Sequence, residues 1–217
     1  MQGEKVPLGF IQATTENSEA VKGLLRDIVG RGFSFEAGLL CVIDGAKALK
    51  KAVEDIFGDC AIIQRCQWHK RENVVSYLNE SDKESYRRRL QQAYQLSDHD
   101  KAREALLEIH RELKRLNLSA ANSLMEGLDE TVTLQQLGLF ELLGKSLKTT
   151  NCIENLNSQL NKYTGRVKHW KSSDQRHRWV AAGLLEIEKK MRRIDNYKHL
   201  PLLRTSLQEA IEKRRKQ

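Results

Sequence analysis

The sequence predicts an α/β fold interrupted by a helical insertion. Three observations predict it. Short apolar runs alternate with amphipathic helical segments through the first 80 residues, the pattern of a parallel sheet with crossover helices. From Ser81 to about Leu128 the chain turns to Arg, Lys, Glu, Gln and Leu, with no proline and almost no glycine. The remaining third is helical in pattern and strongly basic.

In chain order, Lys5–Thr14 reads as a first strand, carrying Val6, Leu8, Phe10 and Ile11 with few charges. Glu16–Val29 reads as an amphipathic helix, because Val21, Leu24, Leu25, Ile28 and Val29 recur at helical spacing, and Gly30 and Gly32 stop it. Leu39–Ile43 is a short apolar run suited to a buried parallel strand. Asp44-Gly45 turns it into a helix over Ala46–Phe57. Cys60–Gln64 is a third strand, and a helix follows through His69, Val74, Tyr77 and Leu78. Leu90, Ala93 and Tyr94, then Leu106, Leu107, Ile109, Leu113 and Leu116, mark the helices of the insertion. A looser connection holding Gly138 and Gly144 leads to a helix over about Asn151–Tyr163. Ser172 or Ser173 caps a further helix to about Ile194, and the terminal Glu-Lys-Arg-Arg-Lys-Gln reads as frayed. The expected division is a partial core over 1–80, a helical insertion over 81–140, and C-terminal helices with a basic tail over 141–217.

Composition bounds the function. The net charge is +8, but Lys145–Gln217 carries 18 Lys and Arg against 7 Asp and Glu, while the rest of the chain is slightly acidic. A basic third on a near-neutral body suits a polyanionic partner, although a solvated Lys-rich helical surface has the same composition. No apolar run approaches the roughly 20 residues that span a bilayer, and the N-terminus has no secretory apolar stretch. The chain therefore reads as intracellular. Cys41, Cys60, Cys66 and Cys152 are irregularly spaced and read as reduced thiols rather than a disulfide framework.

Two carboxylates stand out. Asp44 ends an apolar strand, where α/β sheets place their sites, yet Asp-Gly is also a common turn pair and taken alone favours a helix cap. Glu154 lies three residues after Asn151, a capping-box spacing. Against that, Asn151, Glu154, Asn155 and Ser158 form an unusually polar helix face. Cys66-x-x-His69 offers too few ligands for a structural zinc, which takes four, and its two residues are read as orienting the helix start near the carboxylates. Arg65, Lys70, Arg71, Arg166, Lys168 and Lys171 are candidate phosphate contacts, with His169 or Trp170 available for stacking.

The order of the motifs carries a resemblance. Asp44-Gly45 after an apolar strand, then Gln64-Arg65-Cys66-x-x-His69-Lys70, then Thr149-Thr150-Asn151-x-Ile153-Glu154-x-Leu156-Asn157-Ser158 together resemble the Mutator-type transposases of bacterial insertion sequences, from about Leu8 to Ile194. The resemblance implies a ribonuclease-H-like DDE core with an all-helical insertion before the last acidic residue. It implies metal-dependent DNA strand cleavage and strand transfer through an Asp-Asp-Glu triad holding two Mg²⁺ or Mn²⁺ ions. By position Asp44 matches the second aspartate and Glu154 the glutamate, both as metal ligands and catalytic residues. Cys66, His69 and Asn151 then fall into site-organising places. DNA is the implied partner, with a homo-oligomer or a full-length transposase as a further one. The resemblance also implies a cytoplasmic, nucleoid-associated place. Two ions about 3.5–4 Å apart activate the attacking oxygen and stabilise the leaving one, and hard cations prefer carboxylate oxygens.

No acidic residue here matches the family's first aspartate, which lies on a strand preceding the segment like Val6–Ala13. The expectation is thus an N-terminally truncated piece, inactive alone and able at most to bind DNA or to interfere with an intact relative. A sheet without its first strand is expected to expose an edge and an uncovered apolar face.

Overall fold

A computed structural model describes residues 2–12 and 17–216. Helix α1 (Ser18–Gly30) is capped by Asn17, whose side chain accepts the Glu19 N–H. Strand β1 (Leu39–Ile43), helix α2 (Lys47–Phe57) and strand β2 (Ala61–Arg65) follow. The two strands pair in parallel, with Leu39 opposite Ala61 and Ile43 opposite Arg65. Side chains alternate across the pleat. Ile43, Ala61 and Ile63 pack with Val53 and Phe57 of α2 and with Leu25 and Val29 of α1. Leu40 and Ile62 face the other way, onto Leu143 and onto Leu203, Leu207 and Ile211 from two C-terminal helices. Packing on both faces explains why Leu39–Ile43 and the first three residues of β2 are apolar throughout.

The second layer is helical: α3 (Gln67–Ser76), α4 (Glu80–Gln95), α5 (His99–Leu116), α6 (Leu118–Met125), and the short α7 (Leu128–Thr131) and α8 (Thr133–Gln136). Val74, Leu90, Tyr94, Leu106, Leu113 and Leu124 form their core. Buried polar bonds join this layer to the sheet. Gln64 of β2 donates to the Thr131 carbonyl at 2.9 Å and accepts the Leu134 N–H at 2.9 Å, while Thr133 Oγ1 donates to the Ile63 carbonyl at 2.7 Å. Helices α9 (Phe140–Leu147), α10 (Asn151–Thr164), α11 (Ser173–Glu188) and α12 (Leu200–Arg215) complete the chain. Ser172 caps α11 by accepting the Gln175 N–H at 3.1 Å. Helices α10 and α11 lie so close that a Cβ on Gly183 would come within 2.8 Å of Leu160 Cδ1.

Three expectations are corrected. Residues 5–12 form no strand, and 13–14 of that expectation lie outside the described residues. The segment runs as an irregular strap, held where Ile194 N–H donates to the Gly3 carbonyl at 2.8 Å and Arg31 to the Leu8 carbonyl at 2.6 Å. The supposed loose connection holds α9, with Gly144 buried inside it. Of the end expected to fray, 212–215 form the last turn of α12 and Gln217 lies outside the described residues; α12 covers an apolar sheet face of the kind expected to lie open. Among the described residues no helix is long and apolar enough to cross a membrane.

Candidate functional site

Ile43 and Arg65 are register partners at the last positions of β1 and β2. Asp44 and Cys66 therefore leave neighbouring parallel strands at one C-terminal edge, the edge where α/β sheets open their crevices. The Cys66 N–H donates to the Ile43 carbonyl at 2.7 Å, which carries the ladder one residue further. Asp44 turns at once, its Oδ1 accepting the Ala46 N–H at 2.9 Å. Gly45 has φ 102°, and a Cβ there would sit 2.2 Å from Arg65 Nε. The Asp-Gly pair thus meets two needs, a left-handed backbone and room for a guanidinium against it. Asp44 shapes this turn and remains half-exposed at the strand end.

Cys66 is fully buried at the N-cap position of α3. Its Sγ accepts the Thr150 N–H at 3.4 Å and lies 3.3 Å from His69 Nδ1. Thr150 is buried at the start of α10, and its hydroxyl donates to Glu154 Oε1 at 3.0 Å. The same oxygen is 3.2 Å from His69 Nδ1. A hydroxyl has one hydrogen to give. With that hydrogen on Glu154, the contact to His69 requires Nδ1 to carry a proton and donate. His69 Nε2 lies 3.7 Å from Glu154 Oε1. Cys66, His69, Thr150 and Glu154 are thus one chain of contacts between α3 and α10. The Gln67 N–H, donating to the Lys148 carbonyl at 3.1 Å, ties the two regions a second time.

Asn151 is not the helix cap expected of it. Thr150 holds the N-cap position, Asn151 is the exposed first residue of α10, and Glu154 bonds to the Thr150 side chain. Thr150 is the residue that sequence reasoning missed. Its signal was the i, i+4 spacing to Glu154, which places both on one helix face. Among the described residues no three His, Cys, Asp or Glu side chains gather closely enough to hold a metal ion. Asp44 and Glu154 do not make a complete three-carboxylate centre by themselves.

The candidate phosphate contacts separate into two groups. Arg65 and Lys70 point inward and are corrected as surface contacts. Arg65 donates to the Glu126 and Gly45 carbonyls at 2.9 and 3.1 Å. Lys70 is 1% exposed and donates to the Ser123 and Glu126 carbonyls, each at 2.6 Å. Both cations meet carbonyls at the end of α6, the negative pole of a helix. Burial, and then the neighbouring Arg65, bring the Lys70 ammonium down to about 8. Arg71 is half-buried against Glu72 and Gln91 at 2.9 and 2.6 Å. Arg166, Lys168, His169 and Lys171 are exposed in the α10–α11 connection. Trp170 is already engaged, 6.1 Å from the Trp179 ring with Arg176 over its face. Trp68 is 43% exposed beside His69, their ring centroids 4.9 Å apart.

The structure thus has a parallel strand pair with an aspartate after its first strand, and a glutamate tied by contacts to the Cys-x-x-His segment that follows its second. The chain belongs to the Mutator family of transposases, whose family model matches residues 1–193. It is 29% identical over 152 residues to the transposase for insertion sequence element IS6120 of Mycolicibacterium smegmatis, covering 70% of this chain and 46% of that protein. It is 24% identical over 190 residues to the transposase for insertion sequence element IS256 in transposon Tn4001 of Staphylococcus aureus, covering 85% of this chain and 46% of that protein. The chain spans about half the length of the curated relatives it matches.

Proposed function

We propose that this chain is the catalytic-core portion of an insertion-sequence transposase that acts on DNA. Its two strands are the central part of a ribonuclease-H-like sheet, and its acidic site is built on Asp44 and Glu154. One observation carries the reading. Glu154 is bonded through Thr150 to the Cys66–His69 segment, which follows β2 at the sheet edge where Asp44 ends β1. A glutamate serving only as a capping-box partner needs no such support from a distant helix. Positioned carboxylates are what metal-assisted phosphodiester cleavage requires.

Acting alone, the chain is expected not to cleave DNA, because among the described residues no third carboxylate gathers with Asp44 or Glu154. Binding DNA, or joining an intact transposase in an unproductive oligomer, is the activity left to the isolated chain. The test is incubation of the purified chain with supercoiled plasmid and Mg²⁺ or Mn²⁺. The expected result is no nicking above the background of Glu154→Gln. Metal-dependent nicking abolished by Glu154→Gln would show that the chain completes its own centre.

A further inference from the structure

Beside α10, on the side carrying Asn151 and Asn155, lies an open groove of about 670 Å³. Its charge is one-sided: among the described residues, Lys5, Lys145, Lys190, Arg192 and Arg193 line it against a single carboxylate, Asp195. Four segments build it. The α11–α12 connection is fastened where the Asp195 N–H donates to Ser146 Oγ at 3.0 Å, and where Asn196 donates to the Leu142 carbonyl at 3.1 Å. The strap at Gly3 is fastened to the same connection at Ile194. Lys145 extends from α9, and α10 supplies Asn151, Asn155 and Gln159.

Lys145 pairs with Asp195 at 2.8 Å and Arg193 with Glu4 at 3.4 Å. Lys190 and Arg192 are exposed on the rim. The positive field registers on Asp195, whose carboxyl is held below its ordinary range by Lys145 first, then by Lys5 and Arg192. Among the described residues the lining offers no aromatic ring on which bases would stack. It offers lysine and arginine cations, amides and a serine hydroxyl, the groups that hold sugar-phosphate backbones without reading sequence.

We infer that this groove binds the phosphodiester backbone of a nucleic-acid strand, through Lys190 and Arg192 with the α10 amides, next to the helix that carries Glu154. The inference rests on the DNA-acting reading and adds to it the path of the strand. It also moves the expected contacts, since none of the residues marked from the sequence for phosphate binding lines this groove. An acidic protein segment would meet the same cations. The neighbouring family glutamate and the row of amides favour a nucleic acid.

The experiment is fluorescence anisotropy of a labelled 20-nucleotide single strand against the whole chain at several salt concentrations. Lys190→Gln with Arg192→Gln is expected to weaken binding about tenfold or more. It is also expected to flatten the dependence of log K on log salt by about 1.4, at roughly 0.7 per phosphate contact on a single strand. Asn155→Ala with Gln159→Ala, which leaves the charge alone, is expected to weaken binding several-fold without changing that slope. Arg166→Gln with Lys168→Gln is expected to change binding less than the groove pair does. Wild-type binding in both groove variants overturns the groove and leaves the DNA-acting reading standing. Failure of the unaltered chain to bind any oligonucleotide at low salt overturns both. Tighter binding of labelled polyglutamate than of the oligonucleotide, lost in the groove variants, assigns the groove to an acidic protein and overturns the inference.

Discussion

Lys70 illustrates how far a residue's role can lie from its type. Read in the sequence, a lysine inside a basic motif is a phosphate contact. In the fold it is 1% exposed and fastens α3 to the carbonyls at the end of α6. Its ammonium is brought from 10.5 to about 8. Between those values the unfolded chain holds the proton and the folded chain does not, so folding stability rises with pH across that window. Relative to Lys70→Met, the unaltered protein is expected to gain on the order of 3 kcal/mol between pH 7 and pH 10.5. Urea denaturation at pH 7, 8.5 and 10 measures it, and a constant difference between the two proteins contradicts it. The family was legible because the motifs around Asp44, Cys66 and Glu154 are short and ordered. Thr150 was not, because its partners Cys66 and His69 are more than 80 positions away and only the fold brings them together.

At the scale of elements, the parallel pair β1–β2 and helices α1–α5 follow the apolar periodicities closely. The strand expected over residues 5–14 failed for local reasons. Pro7 has no N–H for a ladder, the Leu8 carbonyl is taken by Arg31, and Val6 and Leu8 are 57% and 43% exposed. Helix α12 was hidden by its charges, although Leu203, Leu207 and Ile211 repeat every four residues and Pro201 sits in its first turn. Because α12 closes one face of the sheet, Leu207→Ala and Ile211→Ala are each expected to cost about 2–4 kcal/mol. Leu202→Ala, at a position 51% exposed, is expected to stay within about 0.5 kcal/mol of the unaltered protein. Denaturation midpoints decide this, and equal effects at the three positions would mean that α12 does not pack on the sheet.

Taken whole, the molecule carries the two carboxylates of the proposed site on segments far apart in sequence. Asp44 and Cys66 follow the two strands and His69 lies in the first turn of α3, while Thr150 and Glu154 lie at the start of α10. The basic groove lies along the same helix, so the excess positive charge of the C-terminal third is gathered partly beside the site rather than spread evenly over a solvated surface. The proposed role of Glu154 depends on the junction between α3 and α10. Its most direct test is a long-range ¹H–¹⁵N spectrum of the His69 imidazole in the unaltered chain, in Thr150→Val and in Thr150→Ser. The geometry predicts a proton on Nδ1, a changed Nδ1 resonance in Thr150→Val, and its restoration in Thr150→Ser. An unprotonated Nδ1 whose resonance is the same in all three proteins would contradict the junction, and with it the site.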